Sequence, residues 1–567
     1  MTSLLSPGVL TREIDLTTVV PAAASTEAGI SLFAHWGPVD ELTLVTNESD
    51  LEKAFGKPSD DNAASWFTAK NFLSYSSGLY VTRALDTTSA LNSDLSGAGV
   101  LIRNDSDIDT HTGAELLCAK CPGKLGDSLK VFIIDSTTYT GSTYESEFPQ
   151  GAPDLDEIHV LVIDEDGLFS GIKGTILEKY SYLSKCSDAL NQDGSSNYYK
   201  KSINDSSDYI TILNDLNVDW GKKFDEVLND VGGVLSLKGA NADWDLNVHA
   251  VFAGEVNVSL SGGADGNMNP STGENILLLS YDLFKDDELV DISFLLGADG
   301  GKNVADALLE ICYSRKDCLA VISPEKNDVV NQSTPFLNVK SYRLSLNLGG
   351  LKDLKSSYMV MDDNWKYQFD KYNNVNRWVP CNGDTAGLMA ETDNEKAVWF
   401  SPGGRSLQNV IKLAWKSKRE ERDVLYPLGV NSITTFPGEG ALLFGDKTLL
   451  QRPSAFDRIN VRRLFIHLRK IISRASRSLL FEQNTEYTRR RFIGIVEPVL
   501  REIKGRQGIT DFRVVCDDSN NTGNIIDQNR FIGDIYIKPT RSINFIELNF
   551  VAVRTDVDFT EVVGNFN

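Results

Sequence analysis

Two separated stretches of the chain, residues 23–87 and 276–408, carry the same alternating signature. Short apolar runs of strand length occur at Gly29–Trp36 and Leu79–Ala84, then at Asp291–Leu296 and Cys318–Ile322. Helix signals over Asp50–Phe55, Asn62–Ser74 and Asn303–Tyr313 separate them, and Gly56-Lys57-Pro58 and Ser323-Pro324 punctuate them. Such alternation folds as a sheet with crossover helices, because parallel neighbours need a long connection that packs back on the sheet. The second stretch reads as the other half of the sheet begun at residue 23. A discontinuous α/β middle domain over 23–87 and 276–408 is therefore expected.

Between the halves the composition changes. Residues 87–113 are rich in Ser, Thr, Asp, Asn and Gly, as a linker would be. Residues 114–275 show short strand-like runs (Leu129–Ile134, Ile158–Ile163, Val251–Leu260) among many turn signals. Residues 88–275 thus read as an inserted, mainly β or α+β outer domain with its linker. The full length of 567 residues accommodates three or four such domains.

The last third differs in charge. Residues 401–510 carry a net +11 within a chain of net −23, so the remainder carries −34. Charge asymmetry of this size suggests a partner for the basic part. A helical apolar stripe runs through Val461, Leu464, Phe465, Leu468, Ile471, Ile472, Ala475 and Leu479. Arg462, Arg463, Arg469, Lys470, Arg474 and Arg477 fall mostly outside it. They form either a solvated or internally paired face, or a contact to an acidic partner surface. A second helix carries Phe492, Ile495, Val496, Val499, Leu500 and Ile503 on one face, with Pro498 starting or kinking its latter half. Strands are expected at Phe512–Cys516, Phe531–Ile537 and Ile543–Ala552. Residues 409–567 thus read as an α+β domain of two amphipathic helices on a small sheet.

At the other end, residues 1–22 contain little that folds alone. Val9, Thr11, Glu13 and Asp15 alternate with Leu10, Arg12, Ile14 and Leu16, the period-two pattern of a half-buried strand. A lone strand is unstable, so this one must dock on a sheet in this chain or another. Ile546, Leu548 and Phe550 alternate in the same way near the C-terminus and end a small sheet whose edge needs cover.

No catalytic constellation emerges. Gly297-Ala298-Asp299-Gly300-Gly301-Lys302-Asn303 lies between a strand and a helix, but its spacing is one residue short of a phosphate loop and Asn303 replaces the Mg²⁺-binding hydroxyl. It reads as an acidic Gly-rich turn. Cys118-Ala119-Lys120-Cys121 has zinc-knuckle spacing without a second pair. The five histidines are scattered, and Asp362-Asp363 and Asp286-Asp287-Glu288 read as solvated acidic loops. Neither an enzyme nor a cofactor or metal site is expected. The acidic balance argues against a nucleic-acid partner. No run approaches the roughly 18 apolar residues of a membrane span, and the start of the sequence has no secretion-signal pattern.

Several ordered blocks carry a family resemblance. They begin with Leu4-Leu5-Ser6-Pro7-Gly8-Val9, Trp36-Gly37-Pro38 and Phe55-Gly56-Lys57-Pro58. They continue with Trp365-Lys366-Tyr367-Gln368-Phe369-Asp370-Lys371-Tyr372-Asn373, Val375-Asn376-Arg377-Trp378-Val379-Pro380 and Phe444-Gly445-Asp446-Lys447-Thr448. The longest are Phe456-Asp457-Arg458-Ile459-Asn460-Val461-Arg462-Arg463-Leu464-Phe465 and Leu548-Asn549-Phe550-Val551-Ala552. Over nearly its full length the chain resembles the major tail sheath proteins of contractile-tailed, myovirus-type bacteriophages. It departs from the long members at 87–113, where they carry an additional outer domain.

The resemblance implies a structural protein of the virion tail, assembled in the host cytoplasm. It implies polymerisation with itself as hexameric rings in a helical tube, and contact with the tail tube, baseplate and tail terminator proteins. Contraction would drive the tube through the host envelope for genome delivery. The sheath of a headless particle, a tailocin or secretion machine, is the alternative. By the same resemblance Val9, Leu10, Arg12, Ile14 and Leu16, with Ile546, Leu548 and Phe550, belong to arms that add strands to neighbouring subunits. The inner domain that carries the six basic residues would face the tail tube.

Overall fold

The computed structural model describes residues 26–217, 220–230, 235–237, 256–270, 272–348 and 353–544. The chain divides after Ser478 into two compact units.

The first unit is built on an eight-stranded sheet. Its strands in chain order are β1 (Ala28–Phe33), β2 (Thr43–Val45), β3 (Leu79–Ala84), β4 (Phe294–Leu296), β5 (Leu319–Ile322), β6 (Met359–Asp362), β7 (Val430–Phe436) and β8 (Gly440–Phe444). They lie side by side as β2-β3-β1-β4-β5-β6-β7-β8. The six central strands are parallel, and β2 and β8 run antiparallel at the two ends. Ala28 stands level with both Leu79 and Phe294, so the two halves read from sequence meet at β1. The central strands are buried on both faces, which explains their unbroken apolar runs.

Helices cover both faces. Helix α1 (Glu48–Phe55) starts at Asn47, whose side chain accepts the Asp50 N–H, and stops at Gly56, whose φ of +75° suits glycine. Helix α2 (Ala63–Leu73) packs on β1 and β3. Helix α3 (Glu274–Tyr281) packs on the same strands, from the opposite side. A Cβ on Gly29 would lie 2.5 Å from the Phe284 ring, just after α3. Thr82, which shares that face, accepts from Ser280 of α3 at 2.9 Å. Phe294, level with Ala28 on the other face, meets Phe72 of α2 with ring centroids 6.4 Å apart.

Helices α4 (Lys302–Arg315) and α5 (Pro335–Ser345) complete the βα connections. Helix α6 (Asn382–Glu395) crosses α2 closely: a Cβ on Gly383 would lie 2.4 Å from the Thr68 carbonyl oxygen. The hairpin of Trp365–Asp370 and Val375–Pro380, with Lys412–Leu413 as a third strand, lies beside α2.

The inserted region has its own four-stranded antiparallel sheet, in the order 256–259, 129–135, 157–164, 175–184. Apolar clusters line both faces. The expected linker 87–113 is instead ordered structure. Ala90–Leu91 pairs with Ala264–Asp265, so the chain leaves and returns through a two-stranded neck. Buried Asn92 donates to the carbonyls of Ile102 and Ala119, and Asp105–Thr110 is helical. Its polar residues satisfy backbone groups within a fold, which composition cannot distinguish from a linker.

Two further expectations change. Strands β7 and β8 fall within the segment 409–567, expected to form a separate inner domain, yet they extend the large sheet. The two basic-region helices also part company. Helix α7 (Ile459–Ser476) belongs to the first unit, whereas α8 (Glu486–Gly505) belongs to the second. In the second unit α8, with Pro498 inside it, packs on a hairpin of Ile509–Val515 and Asp534–Pro539.

Candidate functional site

Three places carry the sequence-derived candidates. The first is α7. Its apolar positions Ile459, Val461, Leu464 and Leu468 are buried, but so are several of its cations. The Arg462 guanidinium lies 4.2 Å from the Tyr358 ring centre and 4.1 Å from that of Phe456, and donates to Ser357 Oγ. Burial pushes its pKa down to about 10. Arg463 pairs with Asp393, donates to the Met389 carbonyl at 3.1 Å and lies 4.6 Å from the Phe294 ring centre. Lys470 Nζ lies 2.8 Å from an Asp291 oxygen and donates to the Ile292 carbonyl at 2.7 Å. Arg474 pairs with the same Asp291.

These four of the six candidate tube-facing residues therefore point into their own subunit. Arg462, Arg463 and Lys470 are buried against acids, carbonyls or rings, whereas Arg474 and its partner Asp291 are half-buried. A buried cation without such partners would be strongly unfavourable. Arg469 on α7 and Arg477 just after it remain exposed. Sequence spacing could not find the partners, because Asp291 and Asp393 lie far off along the chain.

The second place is the pair of terminal arms. Val9, Leu10, Arg12, Ile14 and Leu16 lie outside the described residues, as do Ile546, Leu548 and Phe550. The described part of the second unit offers a hairpin of two strands only. Among the described residues no third strand pairs with either of its edges.

The third place is the carboxyl end of the parallel strands, where open α/β sheets hold their ligands at a switch in strand order. Here that switch lies between β1 and β4, and the chain's own side chains fill the neighbourhood. Tyr281 donates to the Leu296 carbonyl at 2.6 Å, and Asn382 of α6 donates to the Ala298 carbonyl at 2.7 Å. Glu274 and Glu325 carboxylates flank Gly301 of the Gly-rich turn, and Asn303 donates to Glu274. Two carboxylates at that helix start disfavour a phosphate.

Asp362 and Asp363 are not the solvated loop expected. Both are fully buried. Asp362 accepts from Ser323 at 2.9 Å, and Asp363 accepts the Ile433 N–H at 2.8 Å. Burial raises the pKa of both, that of Asp363 to about 7. Beside them Lys366 and Asp384 form a buried ion pair at 2.8 Å, and Tyr75 donates to Asp384. This polar network ties β6, α6 and the Trp365 hairpin together.

Cys118 and Cys121 are both buried, with pKa values raised by burial. Among the described residues no group of three or more His, Cys, Asp or Glu is arranged to hold a metal. No described helix is long and apolar enough to cross a membrane.

The fold is a doubly covered, mostly parallel sheet split by an insertion and followed by a separate C-terminal unit. Comparison with known proteins gives it a family. Residues 26–84 match the tail sheath protein Gp18 domain III N-terminal region. Residues 294–449 match the phage tail sheath protein central domain, and residues 451–552 the phage tail sheath C-terminal domain.

The tail sheath protein of Vibrio phage KVP40 is 31% identical, with 99% of this chain and 100% of the relative covered. That of Enterobacteria phage T4 is also 31% identical, covering 99% of each. The chain belongs to the phage tail sheath protein family, and is a structural component of a contractile phage tail. The alignment with the KVP40 protein runs over 677 positions, 110 more than this chain has, so that relative carries segments without a counterpart here.

Solved structures share the fold. A sheath tail protein from Listeria innocua superposes with a TM-score of 0.52 at 11% identity, covering 92% of this chain and 96% of that one. The helical sheath of the anti-feeding prophage in its contracted state gives 0.50 at 12% identity, covering 97% and 99%.

Proposed function

We propose that this chain polymerises as hexameric rings in a helical tube around a tail tube, and that its terminal segments are the joints. The sheath would be assembled in the host cytoplasm and engage the baseplate and terminator proteins at its ends. On a baseplate signal the subunits would move largely as rigid bodies into a shorter, wider helix. The tube would thereby be driven through the host envelope. The energy would be stored in the extended lattice, with no cofactor and no catalytic step.

The observation that carries this reading is the hairpin of the second unit, two strands whose outer edges are unpaired among the described residues. Residues 9–16 alternate as a strand, and main-chain pairing of such an arm adds several hydrogen bonds of about 1 kcal/mol each. Repetition through a lattice multiplies a modest joint. Arg469 on α7 and Arg477 just after it are left to meet an acidic tube surface.

Deleting residues 1–18 and imaging the product by negative stain tests the joint. A soluble protein with unchanged thermal unfolding that forms no striated tubes is the expected outcome. Normal tubes from the deleted protein would refute the arm as linker, and loss of monomer stability would show that it docks in its own subunit.

A further inference from the structure

A knob and a socket of opposite charge lie on opposite faces of the large sheet. The socket is a cleft of about 360 Å³ beside α2, lined by Phe67, Lys70, Phe369, Lys371, Val410 and Ile411. Phe369 and Ile411 are large apolar residues left 53% and 58% exposed at its rim. Glu48 also lines it and pairs with Lys371 at 3.3 Å. The solvent side of the adjoining strands continues the surface, with Lys412 Nζ 4.9 Å from the Tyr367 ring centre. Lys416 and Arg419 follow, both exposed. Among the described residues Lys70, Lys412, Lys416 and Arg419 have no ion-pair partner. Of these, Lys70 lines the cleft itself and Lys412 lies on the strand face that Phe369 shares.

The knob follows α3. Asp286, Asp287 and Glu288 are exposed and lead to Leu289, which is 67% exposed. This segment is held from beneath. The buried Arg315 donates to the carbonyls of Phe284 at 2.7 Å, Asp286 at 3.0 Å and Val290 at 2.7 Å. An apolar tip among three carboxylates, fixed by an interior arginine, is preorganised for a cationic apolar cleft.

We infer that Asp286–Leu289 of one copy seats in the Phe369–Ile411 cleft of the next, Leu289 entering between the apolar residues while the lysines face its carboxylates. The two surfaces lie on opposite faces, since α2 and α3 cover opposite sides of β1 and β3. The contact is therefore heterologous, and such contacts propagate as rings or helices rather than closing as pairs. The inference rests on the self-assembly proposed above and assigns to it a lateral contact separate from the arms.

The test uses two charge-reversed proteins. Lys412→Glu with Lys416→Glu reverses the socket, and Asp287→Lys with Glu288→Lys reverses the knob. Each alone should lose at least tenfold of its polymer in a pelleting assay. An equimolar mixture should polymerise, because every socket then finds a knob of opposite sign. Polymer from either variant alone at the wild-type level, or a mixture that stays soluble, overturns the contact.

Should a variant not fold, Ile411→Cys with Leu289→Cys in one chain gives a second readout, because the seven native thiols are buried. Mild oxidation of tubes should give a ladder of multimers on a non-reducing gel, and its absence overturns the proposal. Wild-type protein that forms no tubes overturns the assembly reading, and this contact with it. Wild-type tubes with a failed mixture overturn this contact alone.

Discussion

Arg83→Met tests how the inserted region is fastened to the sheet. Arg83 lies in β3 and is 1% exposed. Its guanidinium donates to the Ala34 carbonyl at 3.0 Å, the Gly37 carbonyl at 2.8 Å and the Pro122 carbonyl at 2.6 Å. The first two follow β1, and the third belongs to the inserted region. Methionine keeps much of the volume and donates nothing. Three hydrogen bonds from a charged donor are worth about 1.5–3 kcal/mol each. Against this, removing the cation also removes its desolvation penalty of several kcal/mol, the same burial that pushes the Arg83 pKa down to about 10. The difference should be a net loss of about 3 kcal/mol. With a denaturant slope near 3 kcal/mol/M the urea midpoint should fall by about 1 M. Amide exchange at 34–37 should quicken in the same variant. Arg103→Met is the control, since Arg103 pairs with Asp40 and Asp107 near the surface and should cost under about 1 kcal/mol. Equal effects of the two substitutions would refute the clamp.

Two further outcomes concern the buried polar network. Lys366→Met should cost about 3–5 kcal/mol by leaving Asp384 buried and unpaired, and adding Asp384→Leu should recover most of it in the same urea titration. Asp363 holds its proton in the folded state up to about pH 7 and releases it near pH 4 when unfolded. Its contribution to stability therefore falls as pH rises from about 4 to about 7. Wild type should lose melting temperature across that window relative to Asp363→Asn, and parallel curves for the two would refute this.

Much of the architecture was legible because strand and helix periods differ. Leu79–Ala84 agrees to the residue, and α1 and α2 to within two, because Gly56-Lys57-Pro58 separates the two helices. The β4 to β5 unit was legible for the same reason. Charge was the misleading signal. A sequence shows that Arg462, Arg463 and Lys470 fall off the apolar stripe of α7, but not that Asp393 and Asp291 wait across the fold. In the same way Asp362-Asp363 reads as solvent-exposed until Ser323 and the Ile433 amide are placed around it. Polarity reports exposure only where no distant partner exists. Residues 87–113 failed for a related reason, since Asn92 and Asp94 serve backbone groups that no local pattern reveals. The socket at Phe369 and Ile411 was invisible because its two sides come from segments about forty residues apart.

The position of β1 has a mechanical consequence. Strand β1 is an interior strand of the sheet, flanked on both sides by parallel neighbours. Ala28 donates to Gly78, while Ser293 donates to the Glu27 carbonyl across the other edge. Traction on the N-terminal end of β1 runs along the strand axis. It loads the register from Ala28–Leu79 to Phe33–Ala84 in shear, all bonds together, instead of peeling them singly from an edge. Resistance to such a pull is a matter of unfolding rate rather than equilibrium stability. A chain pulled by its leading end should hold its shape longer than its melting temperature alone suggests.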